Sequence, residues 1–499
     1  MNAWPFNFLP GKLIVARTMN FLLIQLSNQM ENYFQIVIDA FSTSSMQNLT
    51  IRRLTFLLSV CVCFVSCSSK QNNERQELAR TIETSITTEL LNKWYPTSMD
   101  KEHGGFLSTW TYDFKPTGDQ DKMIVSQARH VWTSAKASEV YTDVPHYKEC
   151  ATHGFKFLRD VMWDKTYGGF HTLVDRQGNV KSGPTEEKTA YGNSFAIYAL
   201  AAYYNATQDT SALNLAKKGF MWLEEHSHDP VHKGYFQHMK RDGSVIQRDS
   251  SVPSTAETGY KDQNSSIHLL EAFTELYQVW PDKLVGERVN EMLTLIRDTI
   301  VDDKGSLILF FQPDWTPISF RDSSEEVILK HRGLDHVSFG HDVETAYLML
   351  EASHALGITD NSRTMEIGKK MVDHSLEKGW DNEAGGFYDE GYYFKDKPDI
   401  TIIRETKNWW AQAEGLNTLL IMGDLYPDDE REYYEKFKKM WSYIDTNLID
   451  HENGEWYASG LDKDPKQKSA LKGHIWKAAY HQYRAMANCV RRLSSKERH

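Results

Sequence analysis

Cysteine is scarce in this sequence, with five residues in 499. Cys61, Cys63 and Cys67 crowd into one N-terminal stretch, which leaves Cys150 and Cys489 for the rest. Two cysteines make no disulfide framework. Positive charge is short as well. The formal net charge is −12, which argues against nucleic acid as a partner, because that binding wants a basic surface. No His-Glu-x-x-His and no Cys/His cluster with ligand spacing occurs, so no metal is expected. A phosphate loop and a dinucleotide fingerprint are missing too, and no cofactor is expected. No low-complexity linker interrupts the chain after residue 75, so residues 75–499 read as one catalytic-sized domain with 40% hydrophobic residues overall.

A run of ~20 apolar residues, enough to span a bilayer, is also absent from the N-terminal stretch. What stands there is Arg52-Arg53, the shorter apolar run Leu54 to Val65, and Ser66-Cys67-Ser68-Ser69. That order is a charged region, an apolar region and a cleavage site. It is similar to a bacterial lipobox, with Phe64 in place of the usual Leu. The expected organisation is an upstream extension over 1–45, a signal starting at Met46 and ending at 66, and a tether over 67–74. Cys67 would carry lipid, which would be the only link to a membrane.

The mature part is repetitive. An Asp followed by a small glycine turn recurs at Asp100, Asp164, Asp229, Asp302, Asp381 and Asp450, as in Asp164-Lys-Thr-Tyr-Gly168-Gly169-Phe170. The copies lie 64 to 79 residues apart, long enough for two helices and a loop. A repeat at this period means one supersecondary unit copied, each burying its apolar faces on its neighbours. Apolar residues at helical spacing predict twelve helices, over 74–95, 124–141, 146–162, 189–206, 211–227, 261–279, 284–300, 341–356, 362–379, 408–425, 430–447 and 474–493. Six helical hairpins with short β-hairpin turns can close into a ring of two layers. The fold expected is therefore all-α, an (α/α)6 barrel; an open solenoid is the alternative.

Polar residues gather where the inner helices should begin. They are Gln127-Ala128-Arg129 with Trp132, Lys188 with Tyr191, Asn264 with His268, His341-Asp342-Val343-Glu344, Trp409-Trp410 with Gln412 and Glu414, and Trp476 with His481 and Arg484. Asn264 and His268 are i,i+4 and His341 and Glu344 are i,i+3, so each pair shares a face. Singly, each has a plainer reading: a satisfied structural histidine, a capping arginine, a core tryptophan. Their recurrence at one register favours a common funnel. Imidazole titrates near neutral pH and serves as acid and base. Tryptophan and tyrosine faces stack on sugar rings.

Four of these stretches carry a resemblance. Asn264-x-x-x-His268-Leu-Leu-Glu271-Ala272, Ser338-Phe339-Gly340-His341-Asp342-Val343-Glu344, Trp409-Trp410-x-Gln412-Ala413-Glu414 and Trp476-Lys477-x-x-Tyr480-His481 resemble motifs of the N-acylglucosamine 2-epimerase superfamily, nearest its cellobiose 2-epimerase branch. The likeness runs from about 75 to 493 and also implies the (α/α)6 barrel. It implies that His341 and His481 exchange the C2 proton of an opened sugar, that His268 assists ring opening, and that Arg129 steadies the enediolate. It further implies that Tyr191, Asn264, Trp409, Trp410 and Trp476 bind a disaccharide. Glu344 and Glu414 would orient imidazoles or hold hydroxyls, with Glu344 fixing the tautomer of His341. Ser266 and Ala479 depart from the pattern. A monosaccharide isomerase or N-acylhexosamine epimerase is the rival within the superfamily. Two other classes remain: an (α/α)6 glycoside hydrolase using Asp342, Glu344 or Glu414, and a silent glycan-binding lipoprotein.

Overall fold

The computed structural model describes residues 72–181 and 187–495. The expected extension, the signal and Cys67 lie outside those residues. The chain divides into Met1–Leu78 and Ala79–His499. Of the first unit, residues 72–78 are described, and they are helical. The second unit carries the barrel.

Its outer helices are α1 (79–94, with a π-turn over Ile86–Leu91), α3 (Pro145–Phe157), α5 (Thr210–His226), α7 (Lys283–Leu295), α10 (Ser362–Lys378) and α12 (Tyr433–Asn447). The inner helices are α2 (Ile124–Val140), α4 (Ala190–Thr207), α6 (Gln263–Val279), α9 (Phe339–Ala355), α11 (Trp409–Leu425) and α13 (Tyr480–Ser494). Between α7 and α9 lies a short extra helix, α8 (Glu325–His331). The layers follow from burial pattern. Helix α4 is buried on every side from Ala190 to Tyr203, as a helix ringed by others must be. Helix α5 buries one stripe, Ala212, Leu215, Ala216, Gly219, Phe220 and Leu223, at the i, i+3, i+4 spacing of a surface helix. Each inner helix packs on the next, and α13 packs back on α2. The ring is closed, so the chain is an (α/α)6 barrel and not an open solenoid.

Each outer helix leads through an Asp–Gly turn into a short hairpin and then an inner helix. Gly168 and Gly169 have φ of 69° and 68°, a region that suits glycine. The hairpins also pair sideways between units. Strand β1 (Lys122–Met123) pairs with β2 (Leu173–Val174), β3 (Lys188–Thr189) with β4 (His238–Met239), and β5 (Lys261–Asp262) with β6 (Phe310–Phe311). A three-stranded sheet joins β7 (Val337–Ser338), β8 (Glu390–Tyr392) and β9 (Thr401–Arg404). Four of the six inner helix starts are therefore stapled to the following hairpin, and a single bridge from Asn408 to Ser459 ties the start of α11.

A buried lysine locks five of the six turns. Two residues before α2, Lys122 donates to Asp100 Oδ2 at 3.0 Å and to the Gly104 carbonyl at 2.6 Å. Lys188 does the same for Asp164, Lys261 for Asp229, Lys407 for Asp381 and Lys472 for Asp450. In the fourth unit Val337 takes that position, and Asp302 instead accepts from the amides of Lys304, Gly305 and Ser306.

One expected helix starts late. Residues 474–479 form a tight turn, bridged between His474 and Lys477, and α13 begins only at Tyr480. Trp476 accordingly sits on a loop. Among the described residues no helix is long and apolar enough to cross a membrane.

Candidate active site

The recurrence of polar residues has two causes, only one of them chemical. The fourth residue of most inner helices grips the backbone of its own turn. Gln127 accepts from the Phe106 amide at 2.7 Å and donates to its carbonyl at 2.9 Å. Asn193 accepts from Phe170, Asp342 from Leu307, and Gln412 from Phe387. These residues hold the fold, which corrects the expectation that Gln127 and Gln412 belong to the funnel. It also removes Asp342 as a hydrolytic carboxylate.

The sixth residue carries the site. That register holds Arg129 on α2, His268 on α6, Glu344 on α9 and Glu414 on α11. Nearer the helix starts stand Tyr191, Asn264, His341, Trp410 and His481. Gly340 sets part of this geometry: a Cβ there would meet Ala411 at 2.5 Å and the Trp410 ring at 2.8 Å. Its bare backbone lets α9 and α11 close up, so that the His341 and Trp410 rings lie 4.6 Å apart. The same Trp410 ring lies 6.1 Å from His481.

The three histidines share one pattern of bonding. His481 Nδ1 lies 2.6 Å from Glu414 Oε1, His268 Nδ1 lies 2.8 Å from Glu271 Oε2, and His341 Nδ1 lies 2.8 Å from Ser338 Oγ. Among the described residues, none hydrogen-bonds the Nε2 of any of the three. Each ring is thus held by one nitrogen and leaves the other for chemistry. Glu344 is not the partner of His341, as had been expected. Ser338, one turn earlier, takes His341, and the i,i+3 His–Glu pair that does form is His268–Glu271.

Arg484 gathers the carboxylates. Its Nη2 lies 2.5 Å from Glu344 Oε1 and 2.7 Å from Glu414 Oε1, and its Nη1 donates to Glu271 Oε1. Tyr347 donates to Glu414 Oε2 at 2.7 Å, and Tyr480 donates to Glu271 Oε1 at 2.5 Å. Glu414 is therefore held between His481 and Arg484, and Glu344 against Arg484. Glu344, Glu414 and His481 place ligand atoms within 4.8 Å of one another, close enough for a cation. The Arg484 guanidinium already fills that role and would repel a metal ion.

Arg129 donates through Nη2 to the Tyr191 hydroxyl and through Nη1 to the Trp476 carbonyl, each at 3.1 Å. Its guanidinium lies over the Phe195 ring. Trp476 is 46% exposed, with its ring 6.4 Å from Tyr191, so it offers a face at the mouth. Trp409 does not. It is buried edge-on to His474 and near Lys477, so it packs rather than binds. Asn264 has its Oδ1 buried without a partner.

Burial sets the charge states. It holds the His341 imidazole down to about 3, aided by the charges of His268 and His336. His481 and His268 are also pushed well below the ordinary value, first by burial and then by Arg129. All three are neutral, as a base must be before it acts. Burial lifts the Glu344 carboxyl to about 8, and burial with repulsion from Glu344 lifts Glu414. Three carboxylates around one guanidinium favour a retained proton.

The sequence motifs contained Glu271 and Ser338 without giving them a role, and Tyr347 and the role of Arg484 were missed. Glu271 stood in plain view, one turn after His268. Arg484 has no local signal, because its partners come from three other helices.

Known proteins give the same picture. The family model of N-acylglucosamine 2-epimerase matches residues 104–485. Cellobiose 2-epimerase of Bacteroides fragilis is 28% identical over 412 residues, covering 81% of this chain and 96% of its own. N-acylglucosamine 2-epimerase of Mus musculus is 29% identical over 417 residues, covering 81% and 88%. The solved cellobiose 2-epimerase of Bacillus thermoamylovorans B4167 superposes with a TM-score of 0.72 at 25% identity, covering 83% of this chain and 99% of its own. The chain belongs to the N-acylglucosamine 2-epimerase family and is an enzyme of the carbohydrate epimerase class.

Proposed function

We propose that this protein interconverts glucose and mannose at the reducing end of β-1,4-linked disaccharides such as cellobiose and mannobiose. The observation that carries the reading is the pair His341 and His481. Both are neutral, both are held through Nδ1, and both leave Nε2 free beside Trp410.

The chemistry follows from the substrate. Once the ring opens, C2–H lies next to an aldehyde and is a weak acid. One imidazole takes that proton through Nε2 and becomes imidazolium. The electron pair moves onto O1, giving a cis-enediolate whose charge faces the Arg129 guanidinium. The other imidazole takes a solvent proton on Nε2, drawn by that negative charge, and delivers it to the opposite face of C2, while the first imidazolium releases its proton to solvent. Net charge is unchanged and the configuration at C2 is inverted. His268, fixed by Glu271, serves ring opening. Trp410 and Trp476 stack on sugar.

Against hydrolysis stands the use of Glu344 and Glu414. Both contact Arg484 Nη2, whereas inverting hydrolases hold their carboxyls ~6.5–9.5 Å apart with water between.

The test is turnover of cellobiose in heavy water with product analysis. Expected are the C2 epimer with deuterium at C2, and loss of net epimerisation in both His341→Asn and His481→Asn. A ketose product would move the reading to an aldose–ketose isomerase. Two monosaccharides would restore the hydrolase. Full activity in either histidine variant would overturn the two-base scheme.

A further inference from the structure

One guanidinium in this barrel is shared by more of the site than any other group. Arg484 lies on α13, one turn after His481, with its side chain 4% exposed. Its Nη1 meets Glu271 of α6 and the hydroxyl of Tyr480, and its Nη2 meets Glu344 of α9 and Glu414 of α11. Two of those carboxylates are the ones that hold histidines. Glu271 binds His268 Nδ1 at 2.8 Å, and Glu414 binds His481 Nδ1 at 2.6 Å.

We propose that Arg484 is a positioning residue that sets the tautomer and aim of both His268 and His481 through Glu271 and Glu414. The proposal rests on the epimerase reading for what the histidines do, though not for how they are held. The physical need is plain. Without a cation between them, Glu271, Glu344 and Glu414 would repel one another in a dry interior, and burial would drive them to the protonated form. A protonated carboxyl offers a hydrogen as well as an acceptor, so it no longer obliges Nδ1 of the imidazole to keep its proton. With Arg484 present and the one retained proton on Glu344, whose carboxyl burial lifts to about 8 and which holds no imidazole, a carboxylate faces each Nδ1, the proton stays on Nδ1, and Nε2 presents its lone pair. A planar fork with two terminal nitrogens reaches both sides at once; an ammonium cannot. His341 stands outside this arrangement, since its Nδ1 partner is the Ser338 hydroxyl.

The test uses the full chain labelled with 15N-histidine, with Arg484→Lys and Glu271→Gln. Imidazole nitrogen spectra read the tautomers without any substrate, and His268→Asn, His341→Asn and His481→Asn assign the signals. In Arg484→Lys, kcat for cellobiose epimerisation should fall by about 100-fold, the lower end of what positioned acid–base groups supply. KM should change less than about threefold, and the Nδ1–H signatures of His268 and His481 should be lost while that of His341 persists. Glu271→Gln, which keeps the side-chain volume, should disturb His481 although the two do not touch. Wild-type kcat in Arg484→Lys, or an unchanged His481 signal in Glu271→Gln, would overturn the proposal. If Arg484→Lys fails to fold, the Glu271→Gln spectrum decides alone. A wild-type protein that leaves cellobiose unchanged would remove the functional reading, and the nitrogen spectra would still judge the network.

Discussion

The lysine locks differ in one respect that makes a sharp stability test. Asp164 is reached by Lys188 at 3.0 Å and also by Arg241 at 2.8 Å. Asp229 has Lys261 at 2.7 Å, and no second cation is recorded for it among the described residues. Both lysines are almost wholly buried. Lys261→Met keeps most of the volume and leaves Asp229 as a buried charge without a counter-ion, which should cost about 3–5 kcal/mol. Lys188→Met leaves Asp164 paired, so only charged hydrogen bonds are lost, about 2 kcal/mol. At about 2.1 cal/mol/K of unfolding entropy per residue, the unit from Ala79 to His499 should melt about 3–6 °C lower in the first variant and about 2 °C lower in the second. Asp229→Asn in the Lys261→Met background removes the stranded charge and should recover part of the loss. The acid side gives a second check. Burial alone would raise the Asp229 carboxyl, but Lys261 and the turn amides hold it below its ordinary value. Stability from a depressed carboxyl is present above its unfolded pKa, about 4, and fades as pH falls through the folded value. The gap between wild type and Lys261→Met should therefore narrow below about pH 4. Equal losses in the two lysine variants at neutral pH would refute the reasoning.

Two further outcomes are expected. Trp476→Ala should raise KM by an amount equal to about 1–3 kcal/mol with little change in melting, whereas Trp409→Ala should lower the melting temperature sharply, since its ring fills space against His474; isothermal binding and a thermal melt, read together, check both. If the chain is exported and Cys67 carries lipid, as Arg52-Arg53, the apolar run and Ser66-Cys67 suggest, Cys67→Ala should release it from membranes on cell fractionation.

The repeat, the twelve helices of the barrel and the layer of each were legible, because apolar spacing and the Asp–Gly turns are local signals. The motifs also brought Arg129, Tyr191, His268, His341, Trp410 and His481 to one end of the barrel. What the sequence hid was non-local. Lys122, Lys261, Lys407 and Lys472 read as ordinary charged residues, and Lys188 as one of the funnel, until the fold packs each back onto its turn. Polar residues at the fourth and sixth positions of the inner helices look alike in a string. Only packing tells that Gln127 and Gln412 grip backbone while Arg129 and Glu414 reach the centre. His341 with Glu344 and His268 with Glu271 have the same spacing, yet only the second pair bonds, because Ser338 and Arg484 compete for the first. The start of α13 was misplaced because Trp476, Ala478 and Ala479 continue an apolar pattern through a turn. Helix α8, seven residues long, has too few turns for periodicity to mark it.

The closure of the ring has a consequence of its own. An open stack of helical pairs has two end units, each missing a neighbour, and it is there that such stacks begin to fray. Here the last unit finds the first: the Glu455 amide donates to the Glu89 carbonyl at 2.6 Å, His451 bonds the Glu89 carboxylate at 2.6 Å, and α13 packs on the π-turn of α1. With no free edge, a helical pair cannot peel away while the rest stands. Freeing any one pair means parting two seams at once, and residues supplied by several different staves of the barrel would lose their alignment together. A single crack at the Glu89 seam would thus be felt by His341, on the far side of the ring.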